Sequence, residues 1–178
     1  MKQILYILIA LCLIACKPVN PTPKVIYPEH YTLAYQEIYG HCYDSIPYAV
    51  VALDLYSDGL TLNQDHRIEG TGYNLYLSDI FVPDSLLAEG KYQSISSSSE
   101  TISPFTFLEG RDFEGTPHGM YILHIEEDKI STIQVLDSGS FVYRNDSMLF
   151  TLYYRNTNEQ IVQYQTSFTG SLLSWQKQ

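Results

Sequence analysis

Met148-Leu149-Phe150-Thr151-Leu152-Tyr153-Tyr154 decides the fold. Side chains of an extended chain alternate between two faces. Met148, Phe150, Leu152 and Tyr154 therefore share one face, and Thr151 and Tyr153 share the other. Downstream, Ile161–Phe168 repeats the pattern, with Val162, Tyr164 and Phe168 opposite Gln163 and Gln165. Upstream, Met120–Ile125, Ile130–Leu136 and Ser140–Arg144 read as further strands, and Ser171–Trp175 as a last one. The segments between them are Glu126-Glu127-Asp128, Asp137-Ser138-Gly139, Asn145-Asp146 and Asn156-Thr157-Asn158. Such side chains stabilise tight turns or tolerate left-handed backbone. The C-terminal third is thus expected to be a meander of short hairpins.

The rest of the chain continues the theme. Leu33–Tyr43 and Tyr48–Tyr56 read as strands broken by Asp44-Ser45-Ile46-Pro47, and Tyr73–Phe81, Gly90–Ile95 and Phe105–Leu108 follow. Ser96–Ser99 and the glycine-rich stretch Glu109–Gly119 read as loops. No segment keeps a helical period. Alternation turns Ala49, Val51, Leu53 and Leu55 inward and leaves Tyr48, Asp54 and Tyr56 outward. It likewise turns Tyr73, Leu75 and Leu77 inward, with Asn74 and Tyr76 outward. One polar face on most strands fits an antiparallel sheet wetted on one side. The expected fold is all-β: an antiparallel β-sandwich with a C-terminal meander, or alternatively a lipocalin-like closed barrel. Residues 29–178 form its single domain, long enough to bury a normal core.

The N-terminus carries a different signal. Met1-Lys2-Gln3 is a short basic start, Ile4–Leu13 an uncharged apolar run, and Leu13-Ile14-Ala15-Cys16 closes it. The run is shorter than the about 20 residues a membrane-spanning helix needs, and its length suits a signal-peptide core. The closing tetrapeptide resembles a bacterial lipobox, which implies that residues 1–15 are removed and that the Cys16 thiol is lipidated. Two or more acyl chains on that cysteine would hold the protein stably on a membrane. Residues 16–28 then form a tether in which Pro18, Pro21, Pro23 and Pro28 deny both helix and sheet interior. Extended at ~3.1 Å per residue, it would lift the domain by up to roughly 35 Å.

Composition bounds the partners. The chain carries 10 Lys+Arg against 20 Asp+Glu, a net charge of −10. Nucleic acid and anionic lipid both call for clustered cations, so neither is an expected partner. The acids are dispersed, as suits solubility. With Cys12 in the leader and Cys16 lipidated, Cys42 stands alone, and it is expected to be a small buried hydrophobe.

The blocks Gly72–Leu77, Leu87–Tyr92, Phe105–Gly110 and Gly119–Ile122, with the late Phe168-Thr169-Gly170, resemble small lipoproteins of the Bacteroides type. The resemblance covers roughly residues 48–172 and is one of rhythm: a glycine before an aromatic strand. It implies an all-β fold and an envelope address, and it brings no site residues with it. Members shown on the cell surface use an acidic signal just after the cysteine. Lys17-Pro18-Val19-Asn20 has none, so the periplasmic face of the outer membrane is favoured.

Chemistry is sparse. His124 and Glu126 could share a metal, but zinc wants three or four ligands, and His118 is too distant along the strand. No nucleophile elbow, phosphate loop or calcium loop is present, and Asp54 alone is no carboxylate pair. The expectation is a non-enzymatic protein without cofactor or metal. The positive case is a binding face of outward tyrosines beside acids and amides, namely Tyr48, Asp54, Tyr56, Asn74, Tyr76, Tyr153 and Gln163. Flat rings cover the apolar faces of a sugar or peptide, and the polar groups take its hydroxyls or amides. A glycan, a peptide or an envelope protein would be the partner. A structural subunit of an envelope complex is the alternative, and a hydrolase site assembled by the fold is a third.

Overall fold

The computed structural model describes residues 26–99 and 101–176. The leader, Cys16 and the tether up to Val25 lie outside the described residues. The first strands are β1 (His30–Tyr31), β2 (Leu33–Gly40), β3 (Ala49–Tyr56), β4 (Leu60–Leu62), β5 (Ile68–Gly70) and β6 (Gly72–Val82). Next come β7 (Gly90–Ile95), β8 (Thr106–Leu108), β9 (Arg111–Phe113), β10 (Thr116–His118) and β11 (Met120–Glu126). The series ends with β12 (Lys129–Val135), β13 (Ser138–Arg144), β14 (Ser147–Arg155), β15 (Ile161–Thr169) and β16 (Leu173–Gln176). Among the described residues the protein is all-β, with no helix and 62% strand, and its large mixed sheet is curled into a half-barrel.

The main sheet runs β1-β15-β14-β13-β7-β8-β6-β3-β2-β16. The 11-residue β6 organises it. One edge of β6 pairs with β3. The other edge is divided: Gly72–Leu77 pairs with β11, and Ile80-Phe81 with β8. Asp79, at φ 51°, marks the change of partner. The expected C-terminal meander is present in part: β11-β12 and β13-β14-β15 are antiparallel neighbours, but β13 turns to β7 rather than β12, and β16 leaves the series for β2. Their tight turns use Glu127-Asp128 and Asn145-Asp146, both pairs at positive φ. That is the conformation a two-residue hairpin turn requires.

Three expectations need correction. The sheet is not purely antiparallel, because β1 pairs parallel with β15, β16 with β2, and β7 with β8. The N-terminal strands β1 and β2 thus run beside the C-terminal strands β15 and β16, in the same direction. A period of two cannot signal this, since it is identical for parallel and antiparallel neighbours. Nor is Glu109–Gly119 only a loop, for β9 and β10 form a small hairpin there around Glu114-Gly115. Cys42 is exposed rather than buried. It follows the end of β2, outside the core-facing alternation.

The inner faces enclose one large core that includes Leu53, Leu75, Phe107, Ile122, Phe141 and Phe150. Tyr92 and Phe141 stack face to face at 4.4 Å, and Phe150 lies 5.3 Å beyond. Burying each such side chain stabilises the fold by about 1.5–3 kcal/mol. Tyr27 and Pro28, assigned to the tether, dock onto this body. The Tyr27 ring sits 5.3–5.7 Å from those of Tyr73, Tyr154 and Tyr164, and the Tyr164 and Thr166 hydroxyls donate to Pro28 C=O.

The outer face is not simply wet. The β4-β5 hairpin folds back across it, and Leu60, Leu62 and Ile68 join Tyr56, Leu123 and Ile125 in a second apolar cluster. His66, from the hairpin's turn, meets Trp175 of β16 at 4.5 Å. β3 is therefore buried along both faces.

Candidate functional site

Strand register assembles the site. Tyr35 of β2 faces Asp54 of β3, Asp54 faces Tyr76 of β6, and Tyr76 faces Tyr121 of β11. The next row is Leu33, Tyr56, Asn74 and Leu123. Asp54, Tyr56, Asn74 and Tyr76 thus converge on one outer face, as alternation anticipated. Their exposure was not anticipated. Asp54 is 7%, Tyr56 1% and Asn74 2% exposed, because the β4-β5 hairpin covers that end of the sheet. These three are corrected from surface residues to the floor beneath the site. Tyr76 stays half-buried at its rim.

The floor is a hydrogen-bonded unit. The Tyr56 hydroxyl and Asn74 Nδ2 both donate to the Asp54 carboxylate, and Asn74 Nδ2 also reaches Leu55 C=O at 3.1 Å. A buried carboxylate needs donors of this kind to offset its desolvation. At the rim, the Tyr39 hydroxyl donates to Glu37 Oε2 at 2.7 Å, and Tyr76 reaches the same oxygen at 3.5 Å. The Tyr39 and Tyr76 hydroxyls lie 3.4 Å apart. Tyr121 packs beside Tyr76 with ring centroids 5.2 Å apart. Burial pushes the Tyr121 hydroxyl up to about 12, and Asp54, Glu37 and Tyr39 push the same way. Burial also raises Tyr56 and Tyr76 far above the ordinary phenol range. The Tyr56, Tyr76 and Tyr121 phenols are therefore neutral at physiological pH and can donate as well as accept.

Glu37, Tyr39 and Tyr121 escaped the sequence reading. A signal was present: Tyr35-x-Glu37-x-Tyr39 repeats with period two along an expected strand. Tyr121 has the opposite parity to the core-facing Ile122. The other candidates lie apart. Tyr48 is half-buried just before β3, whereas Tyr153 and Gln163 face each other across β14 and β15. The cross-strand pair Tyr153–Gln163 is on the outer side of the meander, as expected, but it does not contribute to the cluster.

A serine–histidine–acid juxtaposition lies on the β11-β12 hairpin. Ser131 Oγ lies 3.3 Å from His124 Nδ1, and Glu126 Oε1 lies 3.6 Å from the same nitrogen. A catalytic relay needs the base and the orienting acid on opposite ring nitrogens. This arrangement is not one. His124 instead stacks on Tyr73 at 4.5 Å. Among the described residues, no three His, Cys, Asp or Glu side chains gather as metal ligands. No family model, curated protein or solved structure matches the chain.

Proposed function

We propose that the protein is a lipid-anchored envelope lipoprotein whose half-barrel binds a polar ligand, a glycan or a peptide, without catalysis. The observation that carries this reading is the rim of Tyr39, Tyr76 and Tyr121 around Glu37, set on the Asp54-Tyr56-Asn74 floor. Half-buried rings offer flat apolar surface, and phenol hydroxyls beside a carboxylate offer both hydrogen-bond senses. The floor holds the rim strands in place, so the site is preorganised and little entropy is lost on binding. The leader and Cys16 supply the address, the outer membrane with the periplasmic face favoured. The parallel pairing of N-terminal β1 and β2 with C-terminal β15 and β16 supports the barrel alternative over the sandwich.

The test is a glycan and peptide array probed with the protein carrying Cys16→Ser, beside its Tyr121→Ala and Tyr48→Ala variants. Binding lost in Tyr121→Ala and kept in Tyr48→Ala is expected. No binding to any probe, or equal loss in both variants, rejects the site. Palmitate labelling of the full chain, abolished by Cys16→Ser, checks the anchor.

A further inference from the structure

β12 is a seven-residue strand with an open edge. Among the described residues it pairs with β11 alone. Lys129 through Ile133 are exposed, Ile130 at 58% and Ile133 at 44%. Thr132 faces His124 and Ile130 faces Ile125, so Ser131 is the extra residue of a β-bulge. The bulge brings Ile130 onto the same face as Ile133, in line with Ile125 and Leu123. Leu136 N–H donates to Met120 C=O, which sets the hydrogen-bond parity of the hairpin. Gln134 and Thr132 therefore bond toward β11, while Ile133 and Ile130 direct their backbone groups outward. Exposed edges are usually blunted by charge, and here the strand has only Lys129, at its outer end.

We propose that this edge pairs with a second copy of the chain. Two β12 strands meet antiparallel, with Ile130 of one copy opposite Ile133 of the other. The bulge falls at the same place in both strands, so the pairing is self-complementary and closes as a twofold dimer. Charge sorts the ends. The turn Glu126-Glu127-Asp128 precedes β12, and Arg155 lies at its far end, where Gln134 Nε2 donates to Arg155 C=O at 3.4 Å. Arg155 Nε is already 3.3 Å from Asp137 Oδ2, an ion contact without hydrogen-bond geometry. Antiparallel pairing brings each acidic turn to the other copy's Arg155. The interface is small, which places the dimer among weak assemblies, with a Kd on the order of 10–100 μM in solution. This surface is independent of the tyrosine rim.

The experiment is oxidative cross-linking of the full chain in membranes, with Thr132→Cys in a Cys42→Ser background. A disulfide-linked dimer above the Cys42→Ser background is expected. It should be suppressed by adding Ile133→Lys, and Leu149→Cys, exposed on β14, should give none. Ile133→Lys should leave the thermal midpoint unchanged, because the side chain is already exposed. No cross-link at Thr132→Cys overturns the proposal, as would be seen if a strand of another protein occupied the edge. An equal cross-link at Leu149→Cys, or one that survives Ile133→Lys, overturns it too.

Discussion

Tyr56→Phe removes one oxygen from the centre of the sheet and leaves the ring in place. The lost hydroxyl donates to the Asp54 carboxylate, a buried and charge-assisted bond. Such bonds contribute about 1.5–3 kcal/mol net. Asp54 keeps its bond from Asn74, so the carboxylate is not stripped of donors and the lower half of that range applies. The ring contact with Tyr35, edge-on at 6.1 Å, is unaffected. A loss of about 1.5–2 kcal/mol in a domain of this size corresponds to a fall in Tm of roughly 3–8 °C. Urea melts followed by circular dichroism measure the first figure, and calorimetry the second. Tyr39→Phe is the comparison: its bond to Glu37 is only part-buried because Tyr39 itself is half-buried, and Glu37 keeps Tyr76, so the loss should be the smaller, about 0.5–1.5 kcal/mol. Asn74→Ala combined with Tyr56→Phe should be non-additive by at least about 0.5 kcal/mol, since both donors serve one carboxylate. Tyr56→Phe within about 0.5 kcal/mol of the parent would refute a buried Asp54 held by these two bonds.

Two further predictions follow from the same packing. Burial pushes the Tyr92 and Tyr164 hydroxyls up to about 12, and holds Tyr31 and Tyr56 well above the ordinary value of about 10 for an unfolded tyrosine. Stability from neutral buried phenols is complete below pH ~10 and drains away as pH rises through ~12, with Tyr92 alone contributing up to about 3 kcal/mol. Tyrosinate absorbance should rise together with unfolding in that window, and ionisation of these tyrosines near pH 10 without loss of structure would contradict it. Gly110→Ala should prevent folding or cost several kcal/mol, because a Cβ there runs into the carbonyl oxygens of Met120 and Leu136. Gly115→Ala, at a hairpin tip with open space but φ +80°, should cost only about 1–2 kcal/mol in the same denaturant assay.

The strands were legible and their partners were not, for a physical reason. Apolar and polar residues alternate in Met148–Tyr154 because one face is dry, and β14 buries Met148, Phe150 and Leu152 accordingly. The turn residues Asn145-Asp146 fixed a local connection, so the β13-β14 pairing followed from them. Nothing local fixes the pairing of β1 with β15 or β16 with β2, contacts more than a hundred residues apart. The site shows the same division. Parity placed Asp54, Tyr56, Asn74 and Tyr76 on one face, and register made them neighbours. Their burial came from β4-β5, three-residue strands too short for a periodicity to register. That hairpin turns what alternation reads as a wet tyrosine face into two things: a closed floor, which holds the strands, and a half-open rim of Tyr39, Tyr76 and Tyr121. A wholly exposed row of tyrosines could have been no more than strand-forming surface. Two buried polar side chains bound to a buried acid, beside half-buried rings on the same sheet face, make a supported site, which is why the rim rather than the original seven residues is where a ligand should be sought.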